Sequence, residues 1–107
     1  MVNINNIKST IVEKLKPLQL NKIILFGSYA YGTPNENSDL DICIIEDDIK
    51  SKIILKRKIR KLLENINISM DIIAVDTNYY LSHSDKNWLN TALYDARHKG
   101  EILYEKS

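Results

Sequence analysis

Two aspartates separated by one leucine, Asp39-Leu-Asp41, open an apolar run that continues to Ile45. They follow a Gly27-Ser28 pair that closes an earlier apolar run, Lys22-Ile-Ile-Leu-Phe26. Both runs are β-branched and read as strands. Side chains alternate along a strand, so Asp39 and Asp41 share one face while Leu40, Ile42 and Ile44 turn to the core. Ten residues separate Ser28 from Asp39, among them Gly32, Pro34, Asn35 and Asn37. A link of that length and composition holds a short helical turn and a loop but no parallel crossover, so these two strands cannot be joined as a βαβ unit. The sheet is therefore expected to be mixed.

The rest of the chain fills in around this pair. Ile4, Ile7, Ile11, Leu15 and Leu18 recur three or four apart, a helical stripe that Pro17 should limit. From Asp48 to Asn65 the helical period returns, with Ile49, Ile53, Ile59, Leu62, Leu63 and Ile66 as the inner face and a lysine- and arginine-rich outer face. Ser69 to Val75 reads as a third strand. Asn87 to Lys99 reads as a last helix, with Trp88, Ala92 and Leu93 inward and Gly100 as its stop. Glu101 to Tyr104 can close the sheet. The expected fold is α/β (α+β in detail), a small mixed sheet flanked by helices in αβαβαβα order, formed by one domain over residues 1–107.

Composition narrows the function classes. Hydrophobic residues make up 44% and charged residues 27%, a globular balance that excludes a disordered tail. The apolar runs are too short to span a bilayer, and the first residues carry no signal-peptide core. Fifteen basic against fourteen acidic residues give a net charge of +1, so nothing demands direct nucleic-acid binding. The single cysteine, Cys43, cannot form an internal bridge; a reducing, cytoplasmic setting is expected. A domain this small has little surplus stability, which leaves room for a partner chain or a homo-oligomer.

Gly27-Ser28 lets backbone approach a ligand closely, and the following N–H groups with the Ser28 hydroxyl suit phosphate oxygens. Two carboxylates on one face beside such a cradle repel each other unless a cation intervenes, and magnesium is the usual ion when phosphates complete its shell. A third carboxylate normally joins such a site. Asp71, inside the third predicted strand, is the first candidate; Asp76 at the strand end is the second, and Asp85 in a loop the third.

These residues resemble the DNA polymerase beta-like nucleotidyltransferase superfamily, whose signature is Gly-Ser, a ten-residue gap, Asp-x-Asp and a later strand aspartate. The small size and the tail from Ala92 to Glu105 are similar to the minimal nucleotidyltransferases, the MNT group. The resemblance runs from about Ile4 to Glu105. It implies transfer of a nucleoside monophosphate from a triphosphate such as ATP to an acceptor hydroxyl, with magnesium in a two-metal site. Asp39, Asp41 and Asp71 would hold the metals, Asp71 would also help deprotonate the acceptor, and Gly27, Ser28 and Ser38 would bind the nucleotide. It also implies a partner: minimal members often act as antitoxins that adenylylate a helical HEPN ribonuclease toxin. The acceptor would be a tyrosine hydroxyl of that toxin. Many relatives carry arginine where this chain has Tyr29 and Tyr31, so Lys22 or a partner residue would have to supply the cation for the phosphates.

Each feature also has a plainer reading. The two aspartates could be solvent-facing strand acids, and Asp71 a strand-edge acid. The Lys50–Lys61 run reads first as a solvated helix face. His83 and His98 lack ligand spacing to each other or to Cys43, which argues against zinc. Tyr79, Tyr80 and Trp88 read as core or rim packing. Two other functions stand beside the first: a non-catalytic module that neutralises a partner by occlusion, and nucleotidyl transfer to a small molecule such as an aminoglycoside. The latter would need a second chain to build the acceptor pocket.

Overall fold

The computed structural model describes residues 3–35 and 37–106. The first helix, α1 (Ile4–Leu15), starts where the Asn3 side chain accepts the Asn6 N–H. It gives way to a 3-10 turn at Lys16–Leu18, because Pro17 has no N–H to continue the ladder. The left-handed Gln19, at φ 51°, then turns the chain into β1 (Lys22–Phe26). A single turn, α2 (Ser28–Tyr31), leads through the loop to β2 (Leu40–Ile45). Next come α3 (Lys52–Leu62), β3 (Met70–Val75), α4 (Thr77–Ser82), α5 (Ala92–His98) and β4 (Glu101–Glu105).

The four strands lie in the order β3-β2-β1-β4. β1 runs antiparallel to both β2 and β4, and β2 runs parallel to β3. The mixed sheet expected from the short β1–β2 link is thus present. Both faces are covered, which is why the inner strands read as near-continuous apolar runs. On one face Ile23, Leu25, Leu40, Ile42, Ile44 and Ile72 pack with Ile11 and Leu15 of α1, with Ile59 of α3 and with Leu63 just after that helix. On the other, Ile24, Phe26, Cys43, Ile45 and Val75 meet Tyr80 of α4 and Ala96 of α5. Burying each such aliphatic side chain contributes roughly 1.5–3 kcal/mol.

Three expectations need correction. The α3 helix begins at Lys52 rather than Asp48, because Ser51 caps it by accepting the Ile54 N–H at 3.3 Å. That start leaves Ile53 on the outer face, 67% exposed, while Leu55 joins the core margin. The predicted helix from Asn87 to Lys99 is two pieces: a 3-10 turn at Lys86–Trp88, and α5. Asn90, at φ 72°, breaks the helical path between them, and Thr91 caps the second piece through the Tyr94 N–H. Trp88 and Ala92 consequently face solvent rather than the core. The helix α4 stands where the sequence pattern shows no helical period. Asp76 nucleates it by accepting the Tyr79 N–H at 2.7 Å.

Candidate functional site

The register of the sheet assembles the site. Asp41 stands opposite Phe26 of β1 on one side and opposite Asp71 of β3 on the other. Neighbouring strands are about 4.8 Å apart, so Asp41 and Asp71 are close like charges on the same face. That face is the one carrying Cys43, Ile45 and Val75. Its cover by α4 and α5 lies over those residues and leaves the acidic end open: Asp39 and Asp71 are exposed and Asp41 is half-buried.

Gly27 is the other half of the arrangement. Its backbone sits at φ 75°, ψ −159°, a region open in practice to glycine alone. A Cβ there would lie 2.1 Å from Asp41 Oδ2, so the aspartate carboxylate occupies the space a side chain at 27 would need. The bend and the acid are therefore in direct contact. The N–H groups of Ala30 and Tyr31 bond the Gly27 carbonyl at 3.0 and 3.1 Å. Those of Ser28 and Tyr29 come first in the turn and are its orphan donors.

Electrostatics reports the same crowding. Burial, first, and then repulsion from Asp71 and Asp39 hold the Asp41 carboxyl above the ordinary aspartate range. Asp41 thus senses both neighbouring acids. Among the described residues, however, no three acidic, histidine or cysteine side chains are grouped closely enough to hold a metal ion by themselves. What the chain offers is three hard oxygen donors at one sheet end beside a bend without a Cβ, a donor set suited to a hard divalent ion shared with phosphate.

The other predicted residues fall as follows. Ser38 is half-buried, and its hydroxyl accepts the Asn35 N–H at 2.9 Å, which orders the loop before Asp39. Asp76 lies beyond the far end of β3 as the α4 cap, and Asp85 caps the Lys86–Trp88 turn by accepting the Asn87 N–H at 3.0 Å. Both acids are structural. Lys22 begins β1, remote from the bend, and pairs with Glu105 at 3.0 Å, so it is not a phosphate ligand. The nearby cation is one the sequence did not single out. Lys99, just after α5, holds its ammonium 5.9 Å from the Tyr31 ring centroid, beside the turn that Gly27 opens. Its signal, a lysine immediately before Gly100, is too common to find by pattern. Cys43 is buried, which pushes its thiol up to about 12. His83 stacks on Tyr79 at 3.8 Å, and His98 bonds the Ser84 carbonyl at 2.9 Å; neither approaches a metal geometry.

Beside Asp39 opens a cleft of about 1350 Å³. Tyr29, Ser38, Asp39, Ile66, Asn67 and Ser69 are among its walls, whereas Gly27, Ser28, Asp41 and Asp71 are not. The cleft therefore adjoins the acids on one flank only. No helix of the described residues is long and apolar enough to cross a membrane.

Known proteins share this frame. The protein adenylyltransferase MntA of Shewanella oneidensis is 33% identical over 72 residues, which cover 67% of this chain and 50% of that protein. The chain spans about half the length of the curated relatives it matches. A crystal structure of a toxin–antitoxin with AMP-PNP superposes with a TM-score of 0.68 at 23% identity, covering 94% of this chain and 74% of that one. A tri-AMPylated Shewanella oneidensis HEPN toxin in complex with MNT antitoxin gives a TM-score of 0.64 at 19% identity, covering 97% and 74%. At that identity the two structures bear out the expected fold. The family described as the nucleotidyltransferase domain matches residues 4–100, and the chain belongs to it.

Proposed function

We propose that this chain is a magnesium-dependent nucleotidyltransferase that moves AMP from ATP to a hydroxyl of a protein partner, as the antitoxin of a HEPN toxin. The observation that carries the reading is the contact between the Gly27 bend and Asp41, with Asp71 directly across the parallel ladder. The adenylyltransferase MntA among its relatives supports the reaction class, and the solved antitoxin–toxin complexes support the kind of partner.

In this reading the N–H groups of Ser28 and Tyr29 and the Ser28 hydroxyl hold the β- and γ-phosphates, and Lys99 faces them from across Tyr31. Asp39, Asp41 and Asp71 would hold magnesium, which supplies charge neutralisation as negative charge builds on the leaving phosphates. The acceptor oxygen attacks the α-phosphorus in line; its O–P bond forms as the bond to the bridging oxygen of pyrophosphate breaks. Asp71, exposed at the start of β3, takes the hydroxyl proton. Pyrophosphate leaves with the electron pair of the broken bond.

Labelled ATP, magnesium and a purified HEPN-type partner test this. Label should pass to the partner, and Asp39→Asn combined with Asp41→Asn should abolish transfer while the melting transition persists. Undiminished labelling by the double variant overturns the reading. Equal neutralisation of the partner without nucleotide would favour a binding module instead.

A further inference from the structure

The cleft beside Asp39 has a chemistry unlike that of the bend. Asp39 is the only ionisable acid, lysine, arginine or histidine among its described walls, so it offers nothing to attract a triphosphate. Its remaining walls are apolar, with Ile4, Ile66 and Ile68, or neutral and polar, with Asn35, Asn67 and Ser69. Apolar walls with a few neutral hydrogen-bonding groups suit an uncharged heterocycle. The asparagines differ in what they have free. The Asn35 side-chain carbonyl already accepts the Asn37 N–H at 2.8 Å, which ties it into its own loop. Neither the Asn37 nor the Asn67 side chain makes a hydrogen bond among the described residues; of the two, Asn67 stands between the apolar walls Ile66 and Ile68, and it keeps both a donor and an acceptor there.

We infer that this cleft seats the nucleobase of the triphosphate and that Asn67 selects adenine by bonding its N6 and N7 edge. An asparagine amide matches that edge with two parallel hydrogen bonds, whereas the same edge of guanine presents two acceptors. Ile66 and Ile68 line the space for the ring, and the ribose leads past Ser38 toward Asp39. This rests on the nucleotidyl-transfer reading, which places the phosphates at the Gly27-Ser28 bend, next to the Tyr29 wall of the cleft. Asn67 would then be a specificity residue, with no part in bond making.

Two measurements on the full chain test it. The first needs no activity: adenosine, which has no phosphate, is titrated into isotope-labelled protein while the asparagine side-chain amides are followed by NMR. The Asn67 amide should shift with adenosine and less with guanosine. The second is kinetic: Asn67→Ala, a change at an exposed position, should lower the preference for ATP over GTP on the order of tenfold or more, mainly through KM. Failure of adenosine to move the Asn67 amide overturns the inference. So does an unchanged base preference in Asn67→Ala when Asp41→Asn has abolished transfer, a result that leaves the reaction itself standing. A tyrosine peptide shifting the Asn67 amide in place of adenosine would assign the cleft to the acceptor and also overturn it.

Discussion

Replacing Gly27 by alanine tests the central contact of the site. Two costs follow from the geometry. The backbone at φ 75°, ψ −159° must be held in a region that costs a non-glycine residue roughly 1–3 kcal/mol. The new methyl would also lie 2.1 Å from Asp41 Oδ2, where real contacts do not fall below 3.0 Å. Asp41 sits in the middle of a ladder paired on both sides, so its backbone cannot retreat; its carboxylate must swing away by roughly 0.9 Å. For a domain of this size about 2 kcal/mol lowers the melting temperature on the order of 10 °C. A misplacement near 1 Å of a group that positions reactants can cost about a hundredfold in rate. Thermal melting by circular dichroism gives the first quantity, and transfer of labelled AMP to the partner gives the second. Gly27→Ala melting within about 2 °C of the parent, with transfer reduced less than about twofold, would refute both the strain and the contact.

Other changes test neighbouring claims. Ile59→Ala, at a fully buried site on α3, should cost about 2–5 kcal/mol in urea unfolding, whereas Ile53→Ala, 67% exposed, should stay within about 0.5 kcal/mol; equal effects would place the helix on the wrong face. The Asp41 carboxyl is raised in the folded state, so its contribution is most favourable when protonated and is lost as pH rises through that raised value. In chelator, Asp41→Asn should therefore melt higher than the parent at neutral pH, and the gap should close on acidification toward the ordinary aspartate range; a gap that widens on acidification contradicts the assignment. The Cys43 thiol, buried and pushed up to about 12, should resist alkylation at pH 8 in the native protein and react on unfolding, as a mass shift will report.

How much of this could be read beforehand depended on whether the signal was local. The β1 strand was bounded correctly because an apolar β-branched run meets Gly27 at one end. The pairing of Asp71 with Asp41 was readable only as a choice among three acids. Registers belong to two strands at once, and single-sequence periodicity cannot align them. The sheet register sets Asp71 beside Asp41, while Asp76 and Asp85 cap a helix and a turn, a role the Asx side chain commonly fills. The misplaced residues share a cause. Ile53 and Trp88 both satisfied the helical period, but their orientation depended on where a helix began, and Ser51 and Thr91 set those starting points. Lys99 escaped notice because its relation to Tyr31 exists only after β4 folds back beside β1.

The sheet also explains how so small a domain can tolerate repelling acids at all. β2 buries Leu40, Ile42, Cys43, Ile44 and Ile45 around the single half-buried Asp41, so the strand is held by apolar contacts on both faces. The layer above the acid face is short. Arg97 bonds the Ser84 hydroxyl at 3.1 Å and His98 bonds its carbonyl, which ties α5 to the segment after α4 over the Cys43 end of the sheet. Extending that cover by another turn would bury Asp39 and Asp71 and raise their charging cost steeply. Shortening it would expose Phe26 and Val75. The open end is thus set by where apolar cover must stop, and the acids and the Gly27 bend lie at that boundary because only there can charge meet a ligand without leaving water entirely.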